Sequence, residues 1–135
     1  MPGYSGTPLW KKLGYKAGAT AHVAGAPQSY ESALELPKDI AVRWAKLPHA
    51  GISFVHLFAT SKTELAAKLK TLRQTIAPDG AVWISWPKKS SGVVTDITED
   101  TVRAVALPLG FVDIKVCAVD DTWSGLKLVI RKALR

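Results

Sequence analysis

The stretch from residue 52 to residue 86 constrains the fold most, because it predicts a strand, a helix and a second strand in direct succession. "ISFVHLFAT" (Ile52–Thr60) is apolar on both faces, which is typical of a central strand covered on each side. Ser61 and Glu64 form a predicted capping box, and the apolar positions after it recur at helical spacing, at Leu65, Leu69, Leu72 and Ile76. "APDG" then predicts a tight turn into "AVWISW", another covered strand. A strand–helix–strand unit of this kind indicates a parallel sheet.

The flanking sequence continues this alternation. Residues 19–27 ("ATAHVAGAP") and 40–45 ("IAVRWA") predict two further strands. Helices are expected to begin at Thr7-Pro8, at Pro27 and at a cap formed by Asp96 with Glu99. "FVDIKVCAV" and "LKLVIRK" lie on either side of "DDTWSG" and predict an antiparallel hairpin. We therefore predict an α/β fold: a single three-layer domain over residues 1–135, with a mainly parallel sheet, helices on both faces and a C-terminal antiparallel hairpin.

The composition is that of an ordinary globular protein with a basic surface. Apolar residues make up 47% of the chain, charged residues 21%, and the formal net charge is +7. No uncharged stretch is long enough to span a bilayer, Gly51–Thr60 included, and the N-terminus has neither the basic start nor the apolar core of a signal peptide. The single cysteine, Cys117, cannot form an internal disulfide. We therefore expect a cytoplasmic protein without membrane contact.

Two resemblances extend this interpretation. From about residue 52 to residue 132, the order of elements resembles the second half of a class I methyltransferase domain, with "APDGAVWISWP", a helix ending in "PLGF", and the final hairpin as the matching pieces. The whole chain also resembles a family of small bacterial proteins known as domain of unknown function 3052, through "GYSGTPLWKKLG", "WPKKSSGVVTDITED" and "VCAVDDTWSGLKLV". The first resemblance implies a shortened methyltransferase-like, Rossmann-like core. The second implies no activity.

The methyltransferase resemblance weakens where the cofactor would bind. That superfamily places a glycine-rich turn after its first strand and usually an acid at the end of its second. Here the first turn is "AGAPQS", with Gly25 alone, and Pro27 has no N–H to offer a ligand. The second strand ends at Arg43 and Trp44, without a carboxylate. We therefore expect no cofactor and no S-adenosylmethionine-dependent methyl transfer, and we assign no catalytic residue.

The connection between the second and third strands leaves two topologies open. Only "AKLPHAG" separates them, whereas a parallel crossover usually takes about a dozen residues or more. Either these residues run extended beneath the sheet, or the two strands are antiparallel neighbours. The methyltransferase resemblance favours the extended connection.

The best candidate site is the edge of the sheet where the parallel strands end. Pro87 cannot donate to a sheet ladder, so the chain is expected to leave the sheet there, with Trp86 as its final packed residue. Lys88 and Lys89 would then pair with Asp120 and Asp121 across the edge. Gly92 would let the backbone turn so that the Ser90 and Ser91 amides face the same space. The candidate ligand-binding residues are Lys88, Lys89, Ser90, Ser91, Asp120, Asp121, Trp123 and Ser61. The simpler alternative is that turns favour Asp, Ser and Gly, and that Trp123 merely closes the end of the sheet.

Two other groups of residues have a simpler explanation. His22 and His56 would lie side by side if their strands were parallel neighbours in matched register, but without further ligands they are expected to be satisfied core histidines, not a metal site. Cys117 shares a strand face with Lys115 and Asp113 by the period-two rule, and a lysine there could activate the thiol. A lone strand cysteine is more often a small buried apolar residue.

Three functions follow from these patterns. The first is a non-enzymatic binding or regulatory module, for a small ligand or a protein partner, on a degenerate methyltransferase-like core. The second is an enzyme or sensor for a small anionic metabolite held by Lys88, Lys89 and the Ser90-Ser91 backbone. The third is a weak nucleic-acid or polyanion binder, which is not favoured because the basic residues are scattered over several elements.

Overall fold

The computed structural model describes residues 6–135, which form a six-stranded sheet with helices on both faces. The strands are β1 (Thr20–Ala24), β2 (Arg43–Trp44), β3 (Ile52–Phe58), β4 (Ile76–Pro87), β5 (Phe111–Ala118) and β6 (Trp123–Ile130). The helices are α1 (Leu9–Leu13), α2 (Tyr30–Leu34), α3 (Lys62–Thr75) and α4 (Glu99–Leu109), with short 3₁₀ turns at Lys89–Ser91 and Lys132–Leu134. No helix in this part of the chain is long and apolar enough to cross a membrane.

The strand order is β2-β1-β3-β4-β6-β5. The first four of these strands are parallel, and β6 runs antiparallel to both β4 and β5. Because β2 and β3 lie on opposite sides of β1 and are both parallel to it, residues 45–51 carry the chain across the sheet. The extended connection is therefore the correct alternative, and the predicted fold class and C-terminal hairpin are confirmed.

Helix α3 begins as the sequence predicts. The Ser61 side chain accepts a hydrogen bond from the Glu64 amide at 3.4 Å, while the Glu64 carboxylate turns along the helix to Lys68. The stripe of Leu65, Leu69, Leu72 and Ile76 is buried against the sheet. Only half of the predicted capping box is present, because Glu64 pairs with Lys68 and does not turn back to the Ser61 amide.

The other helix starts differ from the predictions by up to one turn. Helix α4 is capped by Thr98, which exchanges hydrogen bonds with Thr101 in a capping box. The Asp96 carboxylate instead accepts a hydrogen bond from the Lys62 amide at 2.7 Å, and so closes the start of α3. Helix α2 starts at Tyr30, because residues 27–30 form a turn in which the Tyr30 amide bonds to the Pro27 carbonyl. Pro8 occupies the N-cap position of α1, where Thr7 was expected.

Two irregular strand segments also differ from the predictions. The predicted turn "APDG" belongs to β4. Ile76 of β4 pairs with Ile52 of β3, and Ala81 of β4 pairs with Phe54, so β4 contains extra residues between these two pairs. Gly80 is needed there, since a Cβ would lie 2.8–3.0 Å from Ile76 and from two carbonyl oxygens. In β5 a bulge between Asp113 and Lys115 breaks the period of two, so these side chains lie on opposite faces.

The two faces of the sheet have separate cores. The face covered by α3 and α4, here the aliphatic face, is packed mainly by Leu, Ile and Val side chains from the sheet and both helices. The face covered by α1 and α2, here the aromatic face, contains Tyr15, Tyr30, Phe54, Phe58 and Trp83. Among the described residues, the aromatic face contains the buried His56 and Ser85 side chains and the buried hydroxyl groups of Tyr15 and Tyr30.

Candidate functional site

The loop after β4 leaves the sheet later than predicted. Pro87 is buried and still faces Trp123 of β6, and the Lys88 amide donates to the Thr122 carbonyl at 2.7 Å. Trp86 is therefore not the last packed residue of the strand. Proline is tolerated at this position because the next residue, Lys88, supplies the donor that closes the ladder. The loop that carries the two lysines is anchored to the β5–β6 hairpin.

The predicted lysine–aspartate pairing across this edge is wrong. Within residues 6–135, neither Lys88 nor Lys89 forms an ion pair with Asp120 or Asp121. The Asp120 carboxylate instead accepts hydrogen bonds from the amides of Thr122 and Trp123, at 2.8 and 2.7 Å. Such a local turn costs little conformational entropy, whereas an exposed ion pair between distant loops contributes about 1 kcal/mol at most.

The remaining candidate residues at this edge mostly satisfy one another. Ser91 Oγ donates to the Lys88 carbonyl and accepts from the Val93 amide, while Gly92 takes the left-handed conformation that ends the 3₁₀ turn. Ser90 is exposed, and Ser61 caps α3. The Trp123 ring packs edge-to-face on Phe58 at 5.1 Å between centroids, as expected of a residue that closes the end of the sheet.

A cavity of about 440 Å³ opens at the same edge, but between the ends of β1 and β2. Its wall includes Gly25 and Gln28 of the first turn, Glu31 and Tyr30 of α2, and Trp44 at the end of β2. Trp44 is 41% exposed, so part of its ring is open to a bound molecule. The cavity lies at the edge of the sheet that the sequence predicts to hold the site, but none of its wall residues was among the candidates. The place of Glu31 in the wall depends on how α2 crosses the sheet, which no local pattern shows.

The first turn packs directly against the end of β3. Gly25 has φ +74°, and a Cβ there would lie 2.7 Å from the Phe58 carbonyl oxygen. Glycine is therefore needed at this position both for its conformation and for the close approach of the two backbones. The gap between the ends of β1 and β3 is closed at this point by protein backbone.

A chain of buried hydrogen bonds runs beneath this edge, on the aromatic face. The Tyr15 and Tyr30 hydroxyls lie 2.7 Å apart, and the Tyr30 hydroxyl lies 2.7 Å from His56 Nδ1. His56 Nε2 lies 2.7 Å from Ser85 Oγ. Burial lowers the pKa of His56 to about 3 and raises the pKa of both tyrosines above their ordinary value, so all four groups are neutral at physiological pH. Their positions in the sequence show no common spacing, and only the prediction of a satisfied core histidine is confirmed.

His22 and His56 do not lie side by side. His22 is paired with Val55 and His56 with Val23, so the register differs by one residue and the rings occupy opposite faces. His22 Nδ1 lies 3.0 Å from the Ala45 carbonyl oxygen. No cluster of three or more metal-binding side chains occurs among the residues that the structure describes.

Cys117 lies partly buried on the aromatic face. Burial raises the pKa of its thiol, although Lys12 and Lys115 nearby act in the opposite direction. Asp113 is not its neighbour, because the β5 bulge turns Asp113 toward Arg103 of α4, at 2.9 Å. A thiol with a raised pKa is a poor nucleophile, so this environment does not support catalysis by Cys117.

Comparison with known structures defines the class of fold. A SAM-dependent methyltransferase from Aquifex aeolicus is 16% identical, with a TM-score of 0.62 over 90% of this chain and 87% of that one. Fibrillarin from Aeropyrum pernix, with natively bound S-adenosyl-L-methionine, is 13% identical, with a TM-score of 0.54 over 91% and 69%. LepI in complex with SAM is 10% identical, with a TM-score of 0.57 over 93% of this chain and 47% of LepI.

The chain therefore has a methyltransferase-like, Rossmann-like fold, and it spans about half the length of LepI. At these identities the likeness concerns the fold alone. No family model and no curated protein sequence matches the chain.

Proposed function

We propose that this chain is a cytoplasmic, non-catalytic module that binds a small molecule in the cavity between β1 and β2. The observation that carries the proposal is the cavity of about 440 Å³ at the carboxyl ends of the parallel strands, where doubly wound folds hold their ligands. The three stretches quoted above also support membership of the bacterial family known as domain of unknown function 3052.

The cavity wall suits a molecule with a flat ring and hydrogen-bond donors. The half-exposed Trp44 ring offers a stacking surface, and the Glu31 carboxylate accepts hydrogen bonds or faces a positive charge. Gln28 adds a side chain that both donates and accepts. Among residues 6–135, no lysine or arginine lines this cavity, which disfavours an anionic ligand here.

The first turn does not fit the methionine part of S-adenosylmethionine, which the fold would suggest as a cofactor. Gly25 is in backbone contact with Phe58, and Pro27 has no amide hydrogen to direct at a carboxylate. Arg43 and Trp44 end β2 without an acid for the ribose. Calorimetric titration with S-adenosylmethionine is expected to show no saturable micromolar binding, and saturable binding in that range would overturn this part of the proposal.

Ligand binding can be tested by native mass spectrometry of freshly purified protein, together with an NMR screen of small ring compounds. Bound compounds are expected to shift the amide signals of Gly25, Gln28 and Glu31 and to bind more weakly to Glu31→Gln and Trp44→Ala. Glu35→Gln is the matched control, because Glu35 lies one turn after Glu31, directly at the end of α2, and is not part of the cavity wall. Equal weakening in the Glu31→Gln and Glu35→Gln variants would place binding elsewhere.

A small anionic metabolite at Lys88 and Lys89 is a second candidate, favoured by the absence of an ion pair at either lysine within residues 6–135. Replacing both lysines by alanine should leave the fold intact and remove an anion held there. Binding of nucleic acid through the scattered positive charge would instead weaken steeply with salt and would depend on many lysines.

A further inference from the structure

A half-buried lysine, without an ion pair among residues 6–135, lies toward the opposite edge of the sheet, where the parallel strands begin. Lys127 lies on β6 opposite Trp83 of β4 and points to the aromatic face. In the described part of the chain, its ammonium group forms neither an ion pair nor a hydrogen bond. A partly desolvated charge without a protein partner is costly, and an anion bound beside it would lower that cost.

Other lysines add to this cost. Burial lowers the pKa of Lys127, and the positive charges of Lys115 and Lys16 lower it further. Lys115 Nζ donates to the Lys12 carbonyl at 2.8 Å, which holds a second ammonium group on the same side. The basic residues are scattered along the sequence, but the fold brings four of them together from α1, the loop after it and the C-terminal hairpin: Lys12, Lys16, Lys115 and Lys127.

A cavity of about 340 Å³ lies beside these lysines. Its lining includes Lys16 and other residues of the loop after α1, together with Lys127, Ser53 and Asp79. Gly14 ends α1 with φ +87°, and a Cβ there would lie 3.1 Å from Lys127 Nζ, so the glycine leaves room for the ammonium group. Ser53 Oγ is bonded to the Thr20 backbone, whereas the Asp79 carboxylate has no hydrogen-bond partner in residues 6–135.

We propose that this cavity binds a small phosphorylated molecule that carries hydroxyl groups, with Lys127 and Lys16 around the phosphoryl group and Asp79 accepting hydrogen bonds from hydroxyls. A phosphoryl anion supplies the negative charge that the lysine cluster lacks. Asp79 would repel a bare anion, so it favours a ligand whose other end donates hydrogen bonds. The volume suits a compact metabolite and is too small to enclose a nucleic-acid strand.

This site is separate from the cavity between β1 and β2. The two cavities share no residue of their walls and lie at opposite ends of the parallel strands. Failure of either proposal therefore leaves the other intact, and amide signals near Gly14 and near Gly25 report on the two sites separately.

The test is an NMR titration with ribose 5-phosphate and with inorganic phosphate, at constant ionic strength and with chloride as the reference anion. Saturable shifts are expected at the amides of Gly14, Lys16, Gly18 and Ala19, with tighter binding of ribose 5-phosphate than of phosphate. Lys127→Met, which keeps the apolar stem, should weaken binding at least tenfold. Lys70→Met removes an exposed lysine of α3 with the same change in net charge and should change binding less than twofold.

Equal weakening in the Lys127→Met and Lys70→Met variants, or shifts at Lys88–Gly92 in place of residues 14–19, would overturn the proposal. So would tighter binding of a homopolymeric RNA than of ribose 5-phosphate. If Lys127→Met fails to fold, the ¹³Cε signal of Lys127 is titrated with pH in the wild-type protein. Ribose 5-phosphate should raise its pKa, and a pKa that does not depend on the ligand would also reject the site.

Discussion

On the aliphatic face of the sheet, Leu, Ile and Val side chains pack against α3 and α4, whereas on the aromatic face the packing of α1 and α2 encloses four polar side chains. Apolar packing depends on volume and burial more than on direction. The Tyr15–Tyr30–His56–Ser85 chain depends on direction, because every buried polar atom needs its partner. The aliphatic face should therefore stabilise the protein independently of pH, whereas the stability that comes from the aromatic face should depend on pH.

The largest effect is expected from Leu69→Asp on the aliphatic face. Leu69 is fully buried in the middle of α3, so the substitution places an unpaired charge in the apolar core. The cost of several kcal/mol is comparable with the stability of a domain of this size, about 5–15 kcal/mol, and the variant should unfold. Lys70→Asp, one residue further along and exposed, is the control. A Leu69→Asp variant with an unchanged melting temperature would show that this face does not form the core.

The next effect in size is a pH dependence that arises on the aromatic face. The pKa of His56 is about 3 in the folded protein and about 6.5 when unfolded, so the unfolded chain binds one more proton between these values. The stability that the folded protein gains by keeping His56 neutral is fully present above pH 6.5. It is lost as the pH falls toward 3, by at most about 1.4 kcal/mol in the free energy of unfolding per pH unit.

Urea denaturation between pH 7.5 and pH 4 measures this slope, and NMR of the imidazole reports the protonation state of folded His56 directly. Replacing the exposed His49 by glutamine should leave the slope unchanged. A folded-state His56 that titrates near pH 6.5 would contradict the prediction.

A smaller loss is expected from Tyr30→Phe, which removes the hydroxyl at the centre of the chain. The Tyr15 hydroxyl and His56 Nδ1 would both lose their partner, at a cost of about 1–3 kcal/mol in the free energy of unfolding. Tyr15→Phe removes the end of the chain and leaves the Tyr30–His56 bond in place, so its cost should be lower. Equal losses in the two variants, measured by urea denaturation, would argue against a directional chain.

The aliphatic face was also the more predictable from the sequence. The strand Ile52–Phe58 and helix α3 were predicted correctly, because both depend on patterns within about ten to fifteen residues: a covered apolar run, a serine cap and a leucine stripe. The Asp96 cap was predicted wrongly, since its carboxylate bonds to the distant Lys62 amide. Contacts of this kind are set by the tertiary fold and have no local signature.

The aromatic face and both cavities depend on such distant contacts. The hydrogen-bonded chain joins a loop, a helix and two strands, through Tyr15, Tyr30, His56 and Ser85. Lys16 meets Lys127 only when the last strand is in place. Strand register decided whether two other predicted pairs of side chains share a face of the sheet. A shift of one residue places His22 and His56 on opposite faces, and the bulge in β5 does the same for Asp113 and Cys117. The loops that carry Lys88 and Asp120 lie at the predicted edge, although the chain leaves β4 later than predicted. Their side chains and backbone form local turns in place of the long-range pairing that the charges suggested.

The smallest effect concerns Cys117, which is expected to react slowly without affecting stability. Burial on the aromatic face raises the pKa of its thiol, and the nearby Lys12 and Lys115 only partly oppose that effect. Because the thiolate is the reactive form, alkylation by iodoacetamide at pH 8 should be slower in the folded protein than in urea, where the thiol is exposed. Replacing Lys115 by methionine should slow the folded-state reaction further. A folded-state rate equal to that of a free thiol would show that burial does not control this side chain, and a faster reaction in the Lys115→Met variant would show that Lys115 does not activate the thiol.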